Sequence, residues 1–194
     1  NNVLLYPAKA LLHFLMTSKN QYAVHSPFLF DFLTKGLENQ NTMKLGSILS
    51  LRKELEQNKR KIEVTDFGAG SKVFKTNKRS ISDIASNAGI SKKRGKLLAK
   101  TTAYFKPKNI LEIGSSIGIS TCYMALGNPE AKITTLEGCP AIATIAEENY
   151  LKLGFKNINM VVGQFEETLD TVIKDQTYDL IFFDGNHQKE PTIS

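Results

Sequence analysis

The second half of the chain is predicted to be an α/β domain built on a parallel sheet. Apolar runs of strand length recur at 109–113, 132–136, 159–162 and 179–183. Helical segments at 119–126, 141–153 and 166–174 separate them, and a turn with two glycines, Gly114-Ser-Ser-Ile-Gly118, follows the first run. Strands joined through helices need right-handed crossovers and therefore lie parallel. A ligand of such a sheet sits at the carboxyl ends of the strands, near a topological switch point. The glycine turn is expected to aim free backbone N–H groups and the positive end of the helix at 119 toward an anionic group.

The totals are those of a globular protein able to bury an ordinary core: 194 residues, 41% hydrophobic and 23% charged. Cys122 and Cys139 are too few for a disulfide framework, and no apolar run reaches membrane-spanning length. The first residues carry no signal-peptide pattern, so the expected location is a reducing cytoplasm. The formal charge is +6 and unevenly spread. Eleven Lys or Arg fall between Lys72 and Lys108 against one acid, Asp83, leaving the remainder net acidic. Such a basic segment is either a solvated helical face or a surface for an acidic partner.

Residues 1–108 read as a helical region leading to the sheet. Apolar residues in Ala8–Met16 are dense enough to predict a packed helix. Ser26 is the expected N-cap of a second helix, with Pro27 at its first position, before Phe28, Phe30 and Phe32. His25, just ahead of that cap, is either structural or a substrate contact. Between Met43 and Lys61, helical spacing of Leu45, Ile48, Leu49 and Leu55 predicts a helix packed on the main domain, with Arg52, Lys53, Glu54 and Lys59 left to solvent. Val64–Ser71 superficially resembles a nucleotide-binding turn, but no helix follows it directly, so a loop or hairpin is expected. In Ser80–Lys100 the placement of Ala85, Gly89 and Ser91 matches a helix-turn-helix with a basic second helix. Two short helices preceding an α/β sheet would give the same pattern.

Candidate ligand-binding residues collect after each strand. Glu112 lies two residues before Gly114, Glu137 closes the second strand, Gly163-Gln164-Phe165 follows the third and Asp184-Gly185-Asn186-His187 the fourth. Glu137 comes nineteen residues after Gly118, a spacing suited to a carboxylate that accepts from both ribose hydroxyls. The turn is G-x-x-x-G rather than the G-x-G-x-x-G that admits a pyrophosphate, and Glu112 would repel one. A carboxylate there suits an ammonium, and neighbouring N–H groups suit a carboxylate. Ribose plus amino acid is S-adenosylmethionine.

Leu111-Glu-Ile-Gly-Ser-Ser-Ile-Gly-Ile-Ser120, Thr135-Leu-Glu-Gly138, Val162-Gly-Gln-Phe-Glu166 and Tyr178-Asp-Leu-Ile-Phe-Phe-Asp-Gly-Asn-His187 together resemble the successive motifs of the class I S-adenosylmethionine-dependent methyltransferases. The D-G-x-H after the fourth strand is similar to the small-molecule O-methyltransferase-like branch. The resemblance covers residues 109–193 and implies a Rossmann-like sheet, so the expected domains are 1–108, helical, and 109–194, the cofactor-binding core. It implies that Glu112 and the turn Gly114, Ser115, Ser116 and Gly118 hold the methionine end of the donor. Glu137 with Gly138 would take the ribose, Gly163, Gln164 and Phe165 would border the adenine, and Asp184 would lie nearest the methyl group.

Asp184 or His187 is the expected catalytic base for a small-molecule methyl acceptor. In catechol-type enzymes of this branch the matching acid binds a divalent metal. One carboxylate and one histidine make no metal site, so no metal ligand is assigned. The resemblance also implies seven strands, so the chain is expected to be a fragment whose fourth strand forms an apolar edge. The helical region, with Phe28, Phe30 and Phe32, is expected to cover the site or form a homo-oligomer surface. The alternatives are a nucleic-acid-binding module using Lys92, Lys93, Arg94 and Lys96, and a nicotinamide-dependent oxidoreductase, which Glu112 disfavours.

Overall fold

The computed structural model describes residues 5–18, 25–38, 45–65, 77–87, 89–174 and 176–184. Residues 1–40 and 41–194 are two separate compact units.

The first unit contains α1 (Leu5–Thr17) and α2 (Pro27–Asp31), which continues as a π-helical turn over Phe32–Leu37. Ser26 Oγ accepts the Leu29 N–H at 3.3 Å and Pro27 opens the helix, as the sequence predicts. His25 is exposed beside that cap. The expected packing of α1 is not found: Leu11, Leu12, Phe14 and Met16 are all more than half exposed.

The second unit opens with α3 (Gly46–Gln57) and a short antiparallel pair, β1 (Lys61–Glu63) and β2 (Lys78–Ser80). The helices α4 (Ile81–Asn87) and α5 (Lys92–Phe105) follow. Then β3 (Asn109–Ile113), α6 (Ile119–Gly127), β4 (Lys132–Glu137), α7 (Pro140–Leu153), β5 (Ile158–Val162), α8 (Phe165–Ile173) and β6 (Leu180–Phe183) alternate. Each of these strands and helices begins and ends within one residue of its predicted bounds. The sheet is parallel, in the order β5-β4-β3-β6. The chain steps outward from β3 to β5 and then returns to place β6 on the other side of β3. The topological switch point therefore lies between β3 and β6.

Side chains alternate across the sheet with the strand period of two. Ile110 and Ile133 face Leu98, Met124 and Ala125 of α5 and α6, in a cluster that also takes Ile158, Leu180 and Phe182. Leu111, Ile113 and Leu136 face the opposite way, toward Phe165, Leu169 and Val172 of α8. On that second face Ile181 and Phe183 of β6 remain about half exposed, and among the described residues β6 pairs with β3 alone. No described helix is long and apolar enough to cross a membrane.

The compact units divide after residue 40, and the helices of the second unit that precede the core expected from 109 are part of the sheet's cover. Ile48, Leu51 and Leu55 of α3 join Ile81, Ile84 and Ala85 of α4 in one cluster with Ile119, Tyr123, Ile142 and Ile145. Arg52, expected in solvent, is 8% exposed. Its Nε donates to Glu56 Oε1 at 2.8 Å and its Nη1 donates to the Ile90 carbonyl, so charge-assisted bonds replace the lost water. The pairing of β1 with β2 agrees with the hairpin expected around Val64–Ser71, of which 66–71 lie outside the described residues.

Ser91 Oγ accepts the Arg94 N–H at 3.3 Å, so α4 and α5 have the expected helix-turn-helix spacing. Yet α5 is spent on the core. It buries Gly95, Leu98, Ala99 and Thr102, leaving Lys92, Lys93, Arg94 and Lys96 exposed. A Cβ on Gly95 would overlap the Tyr123 ring of α6. Replacement of Gly95 by Ala should therefore destabilise the chain by about 1–3 kcal/mol through overpacking. The measurement is a lowered urea midpoint at unchanged m-value, with Lys96→Ala on the exposed face shifting it by less than about 0.5 kcal/mol.

Candidate functional site

Parallel strands bring the segments after β3, β4, β5 and β6 to one edge, and the turn after β3 is its centre. Gly114 (φ 93°) and Gly118 (φ 80°) take left-handed backbone, as does Ser116 (φ 48°). A Cβ at Gly118 would also stand 2.5 Å from the Tyr150 ring, so two independent constraints demand glycine. The N–H groups expected to be free are committed. Those of Gly114 and Ser115 both donate to the Leu136 carbonyl at 3.0 Å, that of Ser116 to Glu137 Oε2 at 2.9 Å, and that of Gly118 to the Ser115 carbonyl at 2.9 Å. Leu136 pairs with Ile113 at the end of the ladder, and the turn folds back to satisfy its carbonyl. The start of α6, where first-turn N–H groups lack intrahelical acceptors, is left for an anionic group.

Glu137 is a brace as well as a candidate ligand. Its Oε1 accepts the Cys139 N–H at 2.9 Å while Oε2 holds Ser116, locking the segments after β3 and β4 together. Burial pushes its carboxyl up, and the N–H groups of Cys139, Ser116 and Gly138 pull it back. A carboxylate has about four acceptor sites, so each oxygen keeps capacity for a hydroxyl. The Glu137 carbonyl accepts the Gly163 N–H at 3.1 Å, which aligns the end of β5. Gln164 is exposed at the N-cap of α8, and Phe165 is partly buried against the Leu111, Ile113 and Leu136 cluster. Asp184 is half-buried on the opposite side of β3, its N–H donating to the Ile113 carbonyl at 2.9 Å. Gly185, Asn186 and the candidate base His187 lie outside the described residues.

Glu112 lies beneath the turn on the α6 face of β3, fully buried. Its Oε2 accepts from Thr121 Oγ1 at 2.5 Å and Thr135 Oγ1 at 2.6 Å. Burial pushes the carboxyl up to about 7, the hydroxyls of Ser120, Thr121 and Thr135 oppose that rise, and the charge of Asp184 adds to it. Oε1 makes no hydrogen bond. The sequence reading missed Thr121, Thr135 and Tyr150. Thr135, directly opposite Glu112 in the register, carried a signal as a polar residue inside a buried strand. Among the described residues, no group of three or more His, Cys, Asp or Glu could hold a metal. A shallow hollow lined by Thr134, Asn159, Thr171 and Tyr178 lies away from the strand ends and gathers no comparable set of groups.

The sign of the pH effect follows from Glu112. Its folded value near 7 exceeds the ordinary 4.5, so folding favours the neutral carboxyl. That stabilisation is complete below pH 4.5 and is lost as the pH rises through 7. Relative to Glu112→Gln, which is neutral throughout, the wild-type chain should lose up to about 3 kcal/mol across this window. Urea midpoints of the two proteins at pH 5 and pH 8 check it; parallel curves would exclude the effect.

Residues 111–194 match the family described as a methyltransferase domain. The catechol O-methyltransferase of Mycobacterium tuberculosis is 32% identical over 101 residues, 51% of this chain and 46% of that protein. The O-methyltransferase TomG of Streptomyces achromogenes, solved in complex with SAM, is 26% identical with a TM-score of 0.51, over 55% of this chain and 49% of that one. An O-methyltransferase from Bacillus cereus, solved with SAH, shares the fold at 20% identity and a TM-score of 0.54, over 84% and 63% of the two chains. The chain thus spans about half the length of the M. tuberculosis and S. achromogenes proteins. The matched range includes the segments that converge on the turn after β3. Residues 111–194 are thus similar to a methyltransferase domain, and the relatives matched over this part of the chain are O-methyltransferases.

Proposed function

We propose that the carboxyl edge of the β5-β4-β3-β6 sheet binds S-adenosylmethionine and directs its methyl group to an oxygen of a small molecule. The observation that carries this reading is the placement of two buried or half-buried carboxylates, Glu112 and Glu137, below and beside one glycine turn. Two separated anionic sites exclude a pyrophosphate from the turn and match a ligand with an ammonium at one end and a diol at the other. The relatives named as O-methyltransferases support oxygen as the acceptor atom.

When bound, the donor would supply an electrophilic methyl on a sulfonium. Glu112 would meet the ammonium and the first turn of α6 the carboxylate of the methionine arm. Glu137, already fixed by Ser116 and Cys139, would accept the ribose hydroxyls without having to be ordered on binding. Gln164 and Phe165 would border the adenine. Asp184, on the β6 side of the switch point, would hold or remove the acceptor's proton and help set the in-line approach. His187 is its proposed partner.

Isothermal titration of the whole chain with S-adenosylhomocysteine tests donor binding. Glu137→Ala should weaken affinity by about 10–100-fold, through loss of hydrogen bonds to a charged acceptor and of the brace on Ser116. Asp184→Ala should leave that affinity within a few-fold and lower turnover of catechol, used as a probe acceptor, by about 100-fold or more. No heat with the folded wild-type chain would overturn the reading, and full turnover by Asp184→Ala would remove Asp184 from the chemistry.

A further inference from the structure

Beneath the glycine turn runs a chain of hydroxyls whose direction is set when Glu112 is a carboxylate. Thr121 Oγ1 is 2.5 Å from Glu112 Oε2 and 3.0 Å from Tyr150 Oη, and Thr135 Oγ1 is 2.6 Å from the same Oε2. A hydroxyl has one proton to give. Thr121 gives it to the carboxylate at the shorter contact, so Tyr150 donates to Thr121. The chain runs from Tyr150 through Thr121 to Glu112, with Thr135 donating from β4. Every member is buried: Tyr150 is 4% exposed, and Thr121, Thr135 and Glu112 have no exposed surface.

The two carboxylate oxygens are treated unequally. Oε2 takes two donors while Oε1 takes none. Buried polar atoms are almost always partnered, so a bare oxygen beside a doubly served twin marks the place of a further donor, and a charged one gives the stronger bond. Among the described residues, the groups named around Glu112 include no cation. Asp184, just after β6, opposes its ionisation, while Cys122 of α6 and Tyr150 of α7 are held neutral because burial pushes both upward. Only the hydroxyls of Ser120, Thr121 and Thr135 favour the charged form.

We propose that Tyr150, Thr121 and Thr135 are positioning residues that orient Glu112 with Oε1 reserved for the ammonium of the methyl donor and favour its carboxylate form, so that capture of the donor by the protonated form releases the Glu112 proton to solvent. This inference rests on Glu112 being the ammonium partner. It makes donor affinity depend on pH through a residue that never touches the acceptor. It also gives Gly118 a functional reason, since the bare Cα leaves room for the Tyr150 ring whose hydroxyl starts the chain.

The test titrates the full chain between pH 6 and pH 8 with S-adenosylhomocysteine and with methylthioadenosine, which lacks the amino-acid arm. Affinity of the wild-type chain for S-adenosylhomocysteine should rise about tenfold over this range, with a midpoint near 7, while methylthioadenosine affinity stays flat. Tyr150→Phe and Thr121→Val should move the midpoint upward, about one unit for Thr121→Val, and Thr121→Ser should restore it. A purely structural role would lower stability without moving the midpoint. Should Glu112→Gln weaken S-adenosylhomocysteine alone while Tyr150→Phe and Thr121→Val keep the wild-type midpoint, the positioning chain is overturned and Glu112 stands as the ammonium partner. Should Glu112→Gln bind S-adenosylhomocysteine as the wild type does, Glu112 is not that partner and the inference falls with it. Tyr150→Phe, which removes one oxygen atom, decides alone if Thr121→Val does not fold.

Discussion

A carboxylate with no exposed surface must be matched by donors or give up its charge, and Glu112 imposes that demand on the central strand of the sheet. The groups that answer it come from three elements on the α6 side of β3. Thr121 is supplied by α6, Thr135 by β4 and, one step removed, Tyr150 by α7. Their register follows from the parallel pairing of Glu112 with Thr135 and from α6 and α7 lying on the same face of the sheet. Core and candidate site are therefore one construction here. A change in helix placement that cost little as packing would still disturb the carboxylate.

The turn above Glu112 obeys a related constraint. Its N–H groups are spent on the last carbonyl of the β4 ladder and on the Glu137 side chain. What the turn leaves for a candidate ligand is the end of α6 and the unused acceptor capacity of two fixed carboxylates. A candidate site braced in this way is ordered in advance, so a ligand there would not have to repay the ordering of a loop. The same bonds tie the ends of β3, β4 and β5 together through Glu137 and Gly163, which places the candidate ribose and adenine residues on one rigid rim.

Helices before the sheet serve it as cover. The basic segment that resembled a nucleic-acid reader lies on α5, whose opposite face is fitted closely to α6 through Gly95, Leu98, Ala99 and Thr102. Arg52 is drawn inward for a related reason. The Ile90 carbonyl lies at the turn before α5, and the guanidinium reaches it while remaining paired with Glu56. These details suit a sheet whose α5–α6 face is thickly covered while Ile181 and Phe183 on the other face remain half exposed.

The sequence by itself determined what depends on neighbours in the chain. Strand and helix bounds from 109 to 183 follow from local periodicity, and the caps at Ser26 and Ser91 from side chains bonding three residues ahead. Parallel pairing and a site at the carboxyl edge follow from crossover handedness, which any α/β chain shares. The places of Gly114 and Gly118 in the turn and of Glu137 and Asp184 at strand ends were legible because local pattern fixes them. Tertiary structure alone decided which groups meet across long separations. Thr121 finds Tyr150 across 29 residues, Glu112 finds Thr135 across 23, and Arg52 finds Ile90 across 38. It also left α1 exposed although its composition called for burial, and it spent the turn's N–H groups on Leu136. Period and propensity specify which face of an element is apolar. Which buried donor completes which acceptor depends on how elements pack in three dimensions, and local pattern does not record it.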